Sequence, residues 1–582
     1  MKADTAPALE AARARRRFVP RDLTVRTFED VAPLYAELEA RDVSGPEPLR
    51  GFLRDFSELT SVVDEHAARL YIAKTCHTDD AAAQKAYLYF VEEFEPKVKP
   101  VFFRLQRKAV SSPAMQELAA SDERLAILRR NWAAEVELFR EENVPLEVEV
   151  NRLTNEYDKL CGAMTAVVDG QEYTLPHAAR FLEETDRGLR ERAWRAVAER
   201  RLQDRDRIDE LFDRLLPLRQ KIAANSGLPD YRAYAWKQLR RFDYTPADCY
   251  AFHDAVEKAV VPVIRELDRA RAKSLGLDVL RPWDADVDVR GRPPLRPFDP
   301  ADVDGFVSRT KAVFHRMSPE LAEQFESLRT HGNLDLDSRK GKAPGGYQST
   351  LDEVRQPFIF MNAAGTQRDI ETLLHEGGHA FHALAASSEP LVFLRSAPIE
   401  FCEVASMSME LLACDHFDLL YPDDPASAAR AKRFQLEGNI RILAWIATID
   451  AFQHWLYTHP GHTRSERTRA WLDVRRRFMG EVDFSGLEPF HESMWQRQLH
   501  LFHLPFYYIE YGIAQLGALQ LYQRSRHDPQ AALANYRHAL SLGGTRPLPR
   551  LFEAAGLHFD FSEKTVRPLV EAVAEELAAL PQ

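Results

Sequence analysis

The chain has 582 residues, of which 45% are hydrophobic and 29% charged, and its formal net charge at pH 7 is −12. This length and composition indicate a globular protein with more than one large core. A net acidic chain is a poor partner for nucleic acid or an anionic membrane, so we expect neither. No stretch approaches 18 uninterrupted apolar residues, and the sequence therefore predicts no membrane span.

The N-terminal segment and the cysteines indicate where the protein works. Basic residues near the start are not followed by an apolar stretch, so the sequence predicts no secretory signal. The five cysteines are widely spread and form no CxxC pair, which is typical of reduced thiols. We therefore expect a cytoplasmic protein.

Apolar residues at three- and four-residue spacing predict a mostly α-helical chain. Residues 164–175 break this pattern, and Asp169-Gly170 predicts the turn of a small hairpin. Charges of alternating sign over residues 186–214 predict solvent-exposed helix faces and not a binding patch. The proline-rich stretch 282–300 predicts an extended linker. We expect a helical N-terminal lobe over residues 1–300 and a second lobe over residues 301–582, with an approximate boundary and lobes that can interleave.

Residues 370–383, IETLLHEGGHAFHA, predict a helix with two different faces. Gly365 breaks the preceding chain, Thr366 can cap the helix, and Asp369 lies at the favourable end of the helix dipole. The apolar stripe of the helix consists of Ile370, Leu373, Leu374 and Phe381.

The other face of this helix carries His375, His379 and His382. His375 and His379 are one helical turn apart, so both imidazoles can bind one Zn²⁺ ion. Glu376 stands beside such an ion and could take a proton from metal-bound water. The pattern favours a hydrolytic metal site.

A buried structural helix with hydrogen-bonded histidines is the alternative reading of this segment. Gly377 and Gly378 argue against it, because each glycine costs about 1 kcal/mol in a helix interior. A purely structural helix would more readily use alanine. Two glycines beside two histidines indicate that another backbone or a substrate comes close.

A hydrolytic zinc site needs a third protein ligand and one open position. A helix predicted to begin near Pro398 offers Glu400, Glu403 and Glu410 on one face. Spacing alone does not choose between Glu400 and Glu403. Acidic residues near a helix start also have a structural explanation, since they stabilise the dipole.

The chain becomes extended over residues 334–361, immediately before the histidine helix. A glycine-rich loop and an extended piece contain Gly345, Gly346 and Tyr347, and a strand contains Phe358, Ile359, Phe360 and Met361. An edge strand beside a metal site can offer backbone N–H and C=O groups to an extended peptide. A small structural sheet is the alternative.

Several motifs together resemble one family. HEGGHAFH at residues 375–382 and FCEVASMSMELL at residues 401–412 are similar to segments of the zinc oligopeptidases of the thimet oligopeptidase/oligoendopeptidase F family. Further matches are GKAPGGYQ at 341–348, PFIFMN at 357–362 and HLFHLPFYYIEYGIAQ at 500–515. The resemblance covers roughly residues 70–560, and Gly377 departs from it where the family commonly has a larger side chain.

The resemblance implies a mostly α fold, with two helical lobes around a deep substrate channel and a small β-sheet next to the HExxH helix. It assigns Glu403 as the third ligand of one zinc ion per chain and leaves Glu410 as a supporting group. It also implies that a histidine and two tyrosines stabilise the oxyanion of peptide hydrolysis. These carry over as His500, Tyr508 and Tyr511, with Tyr507 and His503 as competing candidates. His382 is interpreted as a supporting or packing residue.

The predicted function is a zinc endopeptidase that hydrolyses short unstructured peptides. Gly345, Gly346, Tyr347 and residues 358–361 are the predicted peptide-binding segment. Two alternatives stay open: a metallocarboxypeptidase of similar architecture, and a non-catalytic peptide-binding protein. Glu376 argues against the second, because binding alone has no use for a base there. The oligomeric state, monomer or dimer, is not predicted.

Overall fold

The computed structural model describes residues 6–581, and 71% of the chain is helical. The prediction of a mostly α fold is confirmed. Within residues 6–581, no helix is long and apolar enough to cross a membrane.

The chain forms two compact units, each assembled from three segments. The first unit contains residues 6–136, Arg296–Lys432 and Gly517–Phe559. The second contains Glu137–Leu295, Arg433–Leu516 and residues 560–581. The chain passes between the two units at five points, one of them after Leu295.

The helices of the described residues follow in chain order. They are α1 (Ala6–Arg15), α2 (Phe28–Ala40), α3 (Pro46–Cys76), α4 (Ala81–Tyr89), α5 (Glu95–Val110), α6 (Pro113–Ser121), α7 (Glu123–Leu138), α8 (Val144–Gly162), α9 (Leu175–Ala179), α10 (Arg187–Gln203), α11 (Arg205–Asn225), α12 (Tyr231–Gln238), α13 (Pro246–Ala255), α14 (Val261–Leu275), α15 (Val303–Met317), α16 (Pro319–Thr330), α17 (Gln367–Ala385), α18 (Ile399–Ala413), α19 (Pro425–Thr458), α20 (Arg464–Phe478), α21 (Glu488–Glu492), α22 (Leu499–His503), α23 (Ile509–His527), α24 (Pro529–Ser541), α25 (Leu548–Ala554) and α26 (Glu563–Ala579). The strands are β1 (Thr165–Val168), β2 (Gln171–Thr174), β3 (Leu334–Asp337), β4 (Tyr347–Leu351) and β5 (Gln356–Ala363).

The predicted hairpin is formed by β1 and β2, which pair antiparallel in the second unit. Asp169 (φ 51°) and Gly170 (φ 83°) both have left-handed backbone conformations. A two-residue turn that matches the twist of its strands requires this geometry at both positions. The prediction of a turn at this pair is confirmed.

A three-stranded sheet in the first unit has the order β3-β5-β4. β5 is the central strand, parallel to β3 and antiparallel to β4. The prediction of an edge strand at residues 358–361 is therefore wrong, because both backbone edges of this segment are already paired, and its side chains are buried. The strand beside β5 at the sheet edge is β4, and the sequence did not reveal β3.

Lys342 ties the glycine-rich loop to this sheet. Its ammonium group donates to the backbone oxygens of Asp335, Asp337 and Met361 and to the Asp335 carboxylate, at 2.6–3.0 Å. The side chain is fully buried, so these four oxygens replace its water shell. The loop is thereby held at the start of β4.

The histidine helix α17 begins as the sequence predicts. Thr366 and Asp369 form a reciprocal capping box, which satisfies backbone N–H groups that a helix start leaves free. The four residues of the predicted apolar stripe are at most 2% exposed. The helix is therefore held against the core of the first unit along that stripe.

Two glycines let α17 pack closely against its neighbours. A Cβ atom at Gly378 would lie 2.6 Å from the carbonyl oxygen of Ala405 and 2.6 Å from the Cα of Ser406, both in α18. At Gly377 it would lie 3.1 Å from the ring of Phe314. Phe314 fills the space that a larger side chain at position 377 would occupy. The expectation that another backbone approaches the glycines is confirmed at Gly378.

We expect Gly378→Ala to destabilise the protein by about 1–3 kcal/mol, because the added methyl group must push two helix backbones apart. Gly438→Ala in α19 is the matched control, since an added Cβ there meets nothing within 4 Å. The control should be neutral or stabilising by up to about 1 kcal/mol. Differential scanning calorimetry of both variants measures the effect, and equal melting temperatures would contradict the close packing.

Candidate metal centre

His375 and His379 on α17 and Glu403 on α18 form the candidate metal centre. Glu403 Oε2 lies 3.5 Å from His375 Nε2 and 3.8 Å from His379 Nε2. In a tetrahedral site with bonds of about 2.0–2.1 Å, neighbouring ligand atoms are about 3.4 Å apart. The three donors therefore fit one metal ion without rearrangement of either helix. Two imidazole nitrogens and one carboxylate oxygen are a donor set that Zn²⁺ prefers.

Of the two glutamates that spacing left open, the structure brings Glu403 to the histidines. All three ligand atoms of His375, His379 and Glu403 lie within 4.8 Å of one another. In the part of the chain that the structure describes, Glu400 does not join this group. Ser406 Oγ donates to Glu403 Oε2 at 3.2 Å and helps orient the carboxylate.

Glu410, seven residues after Glu403 on α18, orients His375. Its Oε1 atom accepts a hydrogen bond from His375 Nδ1 at 2.7 Å, which assigns the proton to Nδ1. Nε2 is then the nitrogen that can bind a metal once its own proton has left. Such carboxylate–histidine pairs fix ring orientation and raise ligand basicity.

Glu376 is buried, with 8% of its surface exposed. Burial and the nearby Glu403 carboxylate raise the pKa of Glu376 to about 7, although His375 and a hydrogen bond from the Gln348 backbone act in the opposite direction. A carboxylate whose pKa lies near the working pH can both accept and return a proton. This property suits a general base.

The imidazoles of the site differ in protonation. Burial lowers the pKa of His379 well below its ordinary value, so this ring is neutral and ready to bind a metal. Burial also lowers the pKa of His375, but the hydrogen bond and charge of Glu410 outweigh it and raise the value to about 9. Metal binding must therefore displace a proton from His375.

His382, the third histidine of the helix face, does not join the ligand group. It is 4% exposed, and its ring meets that of Phe401 edge to face with centroids 6.4 Å apart. Burial lowers its pKa to about 4, so the ring is neutral. Its position agrees with the interpretation as a packing residue.

The backbone edge of β4 lies beside Glu376. Gln348 in β4 lies opposite Ile359 in β5. The Ile359 N–H donates to the Asn333 backbone oxygen at 2.9 Å, on the β3 side of the sheet. The backbone N–H and C=O of Gln348 therefore point away from β5, toward the open edge of β4. The Gln348 N–H is hydrogen-bonded to Glu376. Thr350, two residues on, faces the same side. A cavity of about 270 Å³ is lined by Gln348, Thr350, His379 and Glu403, among others.

The predicted oxyanion-stabilising residues form an aromatic cluster in the second unit. The ring of His500 lies 5.0 Å from that of Tyr508, 5.8 Å from Tyr511 and 5.6 Å from Tyr507. Tyr507 and Tyr508 lie between α22 and α23, whereas Tyr511 is on α23. Phe506, in the turn between these helices, has a φ of 69°, a left-handed conformation that is uncommon for a bulky residue.

A chain of hydrogen bonds determines the tautomer of His500. The indole N–H of Trp445 can only donate, and it donates to Gln498 Oε1 at 3.1 Å. Gln498 Nε2 consequently donates to His500 Nδ1, at 2.7 Å. The proton of His500 is then on Nε2, which makes this nitrogen a donor. Burial lowers the pKa of His500 to about 4, so the ring is neutral.

The competing candidates differ from one another. His503 Nε2 is hydrogen-bonded to Asp158 at 2.8 Å, so its donor is already used. Tyr507 stays within the cluster, 5.4 Å from the ring of Tyr511. Burial raises the pKa of Tyr508 to about 12, so its phenol keeps its proton.

Sequence reasoning did not find Gln498, Trp445 or Gln348, because their roles depend on contacts distant in sequence.

Comparisons with known proteins assign the chain to a family. The model of Peptidase family M3 matches residues 180–571, more than half of the chain. The chain belongs to Peptidase family M3. It is therefore a peptidase, as the motifs predicted, and peptides are the substrates that this family implies.

Relatives and solved structures extend the match beyond the family segment. An oligoendopeptidase F homologue of Mycoplasma pneumoniae is 22% identical over 468 residues, which are 74% of this chain and 73% of the relative. Oligopeptidase PepF of Bacillus subtilis is 25% identical over 249 residues, 41% of this chain and 36% of the relative. The structure of PZ peptidase A with an inhibitor has a TM-score of 0.87 and 28% identity, covering 98% of this chain and 99% of that one. This M3 chain thus shares the fold of PZ peptidase A over almost its whole length.

We expect metal affinity to rise about tenfold per pH unit between pH 6 and 8, because binding displaces the proton of His375 below its pKa of about 9. Glu410→Gln should weaken binding by about 10–100-fold and flatten this dependence, since it removes the group that raises that pKa. Chelator competition at three pH values measures both effects. A Glu410→Gln protein with the same pH slope would contradict the role assigned to Glu410.

Proposed function

We propose that the chain is a zinc-dependent endopeptidase that hydrolyses short, unstructured peptides. The observation that carries this proposal is the convergence of His375, His379 and Glu403, with the buried base Glu376 beside them. One zinc ion per chain fits this donor set. Zinc held there would act as a Lewis acid and supply an activated water at neutral pH.

The peptide is proposed to bind in extended form along β4. This strand replaces residues 358–361 as the peptide-binding segment, because its outward backbone groups lie beside Glu376. Backbone pairing gives affinity that is largely independent of side-chain sequence. Gly346 at the start of β4 favours this approach, because it has no side chain. Tyr347 is not proposed to pair with the peptide, because its backbone groups face Phe360 in β5 and its ring stacks on Phe360 at 4.8 Å.

In the proposed reaction Glu376 takes a proton from the attacking water and passes it to the leaving amine. The negative charge that develops on the carbonyl oxygen needs preorganised donors. His500 Nε2–H and the phenol of Tyr508 or Tyr511 are proposed for this task. The tautomer set by Gln498 supports the choice of His500, because it presents an N–H and not a lone pair.

The five cysteines are free thiols in the structure. This supports the proposal that the protein works in the reducing environment of the cytoplasm.

Glu376→Gln should lower kcat by about 10²–10⁴-fold while the metal stays bound, because the amide cannot accept a proton. A quenched fluorescent peptide measures turnover, and elemental analysis measures the metal. The matched control is Glu371→Gln on the same helix. Chelation should abolish turnover of the unmodified protein and added zinc should restore it.

Mapping the products of one peptide with blocked ends separates the alternatives. Internal cleavage supports the endopeptidase, whereas a carboxypeptidase would release single residues from a free C-terminus and leave the blocked peptide intact. Peptide binding with metal present but no turnover would contradict the proposal and favour a binding protein.

We expect His500→Gln and Tyr508→Phe or Tyr511→Phe to lower kcat by about 10²–10³-fold with a much smaller change in KM, since the lost donor acts on the transition state. Tyr507→Phe tests the competing candidate of the same cluster and should leave kcat nearly unchanged. Steady-state kinetics with one peptide measures kcat and KM of each variant. Full activity in all three tyrosine variants and in His500→Gln would exclude this cluster from the reaction.

A further inference from the structure

A second cavity lies within the second unit, apart from the residues discussed so far. Its volume is about 280 Å³. Its walls come from α9, α10, α11, α21 and the turn that follows α21. The lining is mostly apolar and consists of Leu175, Pro176, Ala179, Leu182, Ala193, Trp194, Val197, Ala198, Ile208, Phe490, Met494, Ser493, Gln496, Arg201 and Arg497.

Two arginines, Arg201 and Arg497, are the only charged residues of this lining. Among the described residues, neither guanidinium has a carboxylate within ion-pair distance. Arg497 stacks over the ring of Trp445, 5.1 Å from its centroid. Asp286 and the Tyr508 phenol act on Arg497 only at longer range.

The other arginines of α10 show how unusual this is. Arg192 pairs with Asp169 at 2.8 Å, Arg195 with Glu191 at 2.9 Å and Arg200 with Asp204 at 2.5 Å. Arg201 follows directly and faces the cavity instead. The sequence predicted that charges in residues 186–214 lie on solvent-exposed faces; Arg201 is partly exposed, whereas Arg190, Asp204 and Asp209 are buried.

Arg201 is partly buried and Arg497 is solvent-exposed, and the lining of the cavity offers no carboxylate to balance their charges. Burial lowers the pKa of Arg201. Two like charges beside an apolar wall gain most from a ligand that brings a negative group to them. Arginine forms strong, charge-assisted hydrogen bonds with carboxylates, often two per guanidinium.

We propose that this cavity binds a carboxylate attached to a short apolar group, with the carboxylate at Arg201 and Arg497 and the apolar group against Trp194, Val197 and Phe490. Two sources share this chemistry: the C-terminal residue of a peptide, and a medium-chain fatty acid. Binding here does not require the zinc chemistry, so it can be measured without turnover.

Isothermal titration calorimetry on the full-length Glu376→Gln protein tests the proposal with three probes. They are N-acetyl-leucine, octanoate and N-acetyl-leucinamide, which lacks the carboxylate. We expect at least one carboxylate to bind and the amide to bind about tenfold more weakly or not at all, the effect of losing a charge-assisted hydrogen bond. Tighter binding of N-acetyl-leucine identifies a peptide C-terminus as the ligand, and tighter binding of octanoate identifies a fatty acid.

Variants assign the binding to this cavity. Arg201→Gln and Arg497→Gln should each weaken carboxylate binding by about tenfold or more, whereas Arg192→Gln, on the same helix but paired and exposed, should not. Ala198→Phe fills the cavity without changing its charge and should also abolish binding. Trp194→Phe should remove the ligand-dependent change in tryptophan fluorescence.

The proposal is overturned if neither carboxylate binds, if the amide binds as tightly as the acid, or if Arg192→Gln weakens binding as much as Arg201→Gln. Arg201→Lys and Arg497→Lys, which keep the charge, guard against a folding defect. Partial recovery of binding relative to the glutamine variants supports the electrostatic assignment.

Discussion

The close contact between α17 and α18 is the constraint on which the candidate metal centre depends. Gly378 lets the backbone of α17 approach the carbonyl of Ala405 without a side chain between them. Glu403, two residues before Ala405, is thereby carried to within 3.5 Å and 3.8 Å of the two imidazoles. A wider helix separation would leave three separate side chains and no site.

The same pair of helices also arranges the charges of the site. Glu410 holds the proton of His375 on Nδ1, whereas burial keeps His379 neutral. Glu376 lies on the buried side of α17 and is hydrogen-bonded by the backbone of β4. One short segment of sheet and two helices thus position the ligands, the base and the strand edge of the first unit.

Local features of the fold could be predicted from the sequence, because their causes lie within a few residues. The cap formed by Thr366 and Asp369, the turn at Asp169-Gly170 and the apolar stripe of α17 are of this kind. The histidine motif predicted two candidate metal ligands for the same reason, since its spacing is that of one helical turn.

Other features depend on residues far apart in the chain, and spacing could not reveal them. The order of strands placed β4 and not β5 at the edge beside Glu376. The turn between α22 and α23 is fixed at Phe506, whose N–H donates to Gln453 and whose carbonyl accepts from Arg241. The choice of Glu403 came from family resemblance and the geometry of packed helices, and not from its spacing.

Anomalous X-ray diffraction at the zinc absorption edge, on crystals of the unmodified protein, tests the central claim most directly. We predict one strong peak per chain about 2.0–2.2 Å from His375 Nε2, His379 Nε2 and a Glu403 oxygen. A metal bound elsewhere, or a Glu403 carboxylate directed away from an ion held by the two histidines, would contradict the account.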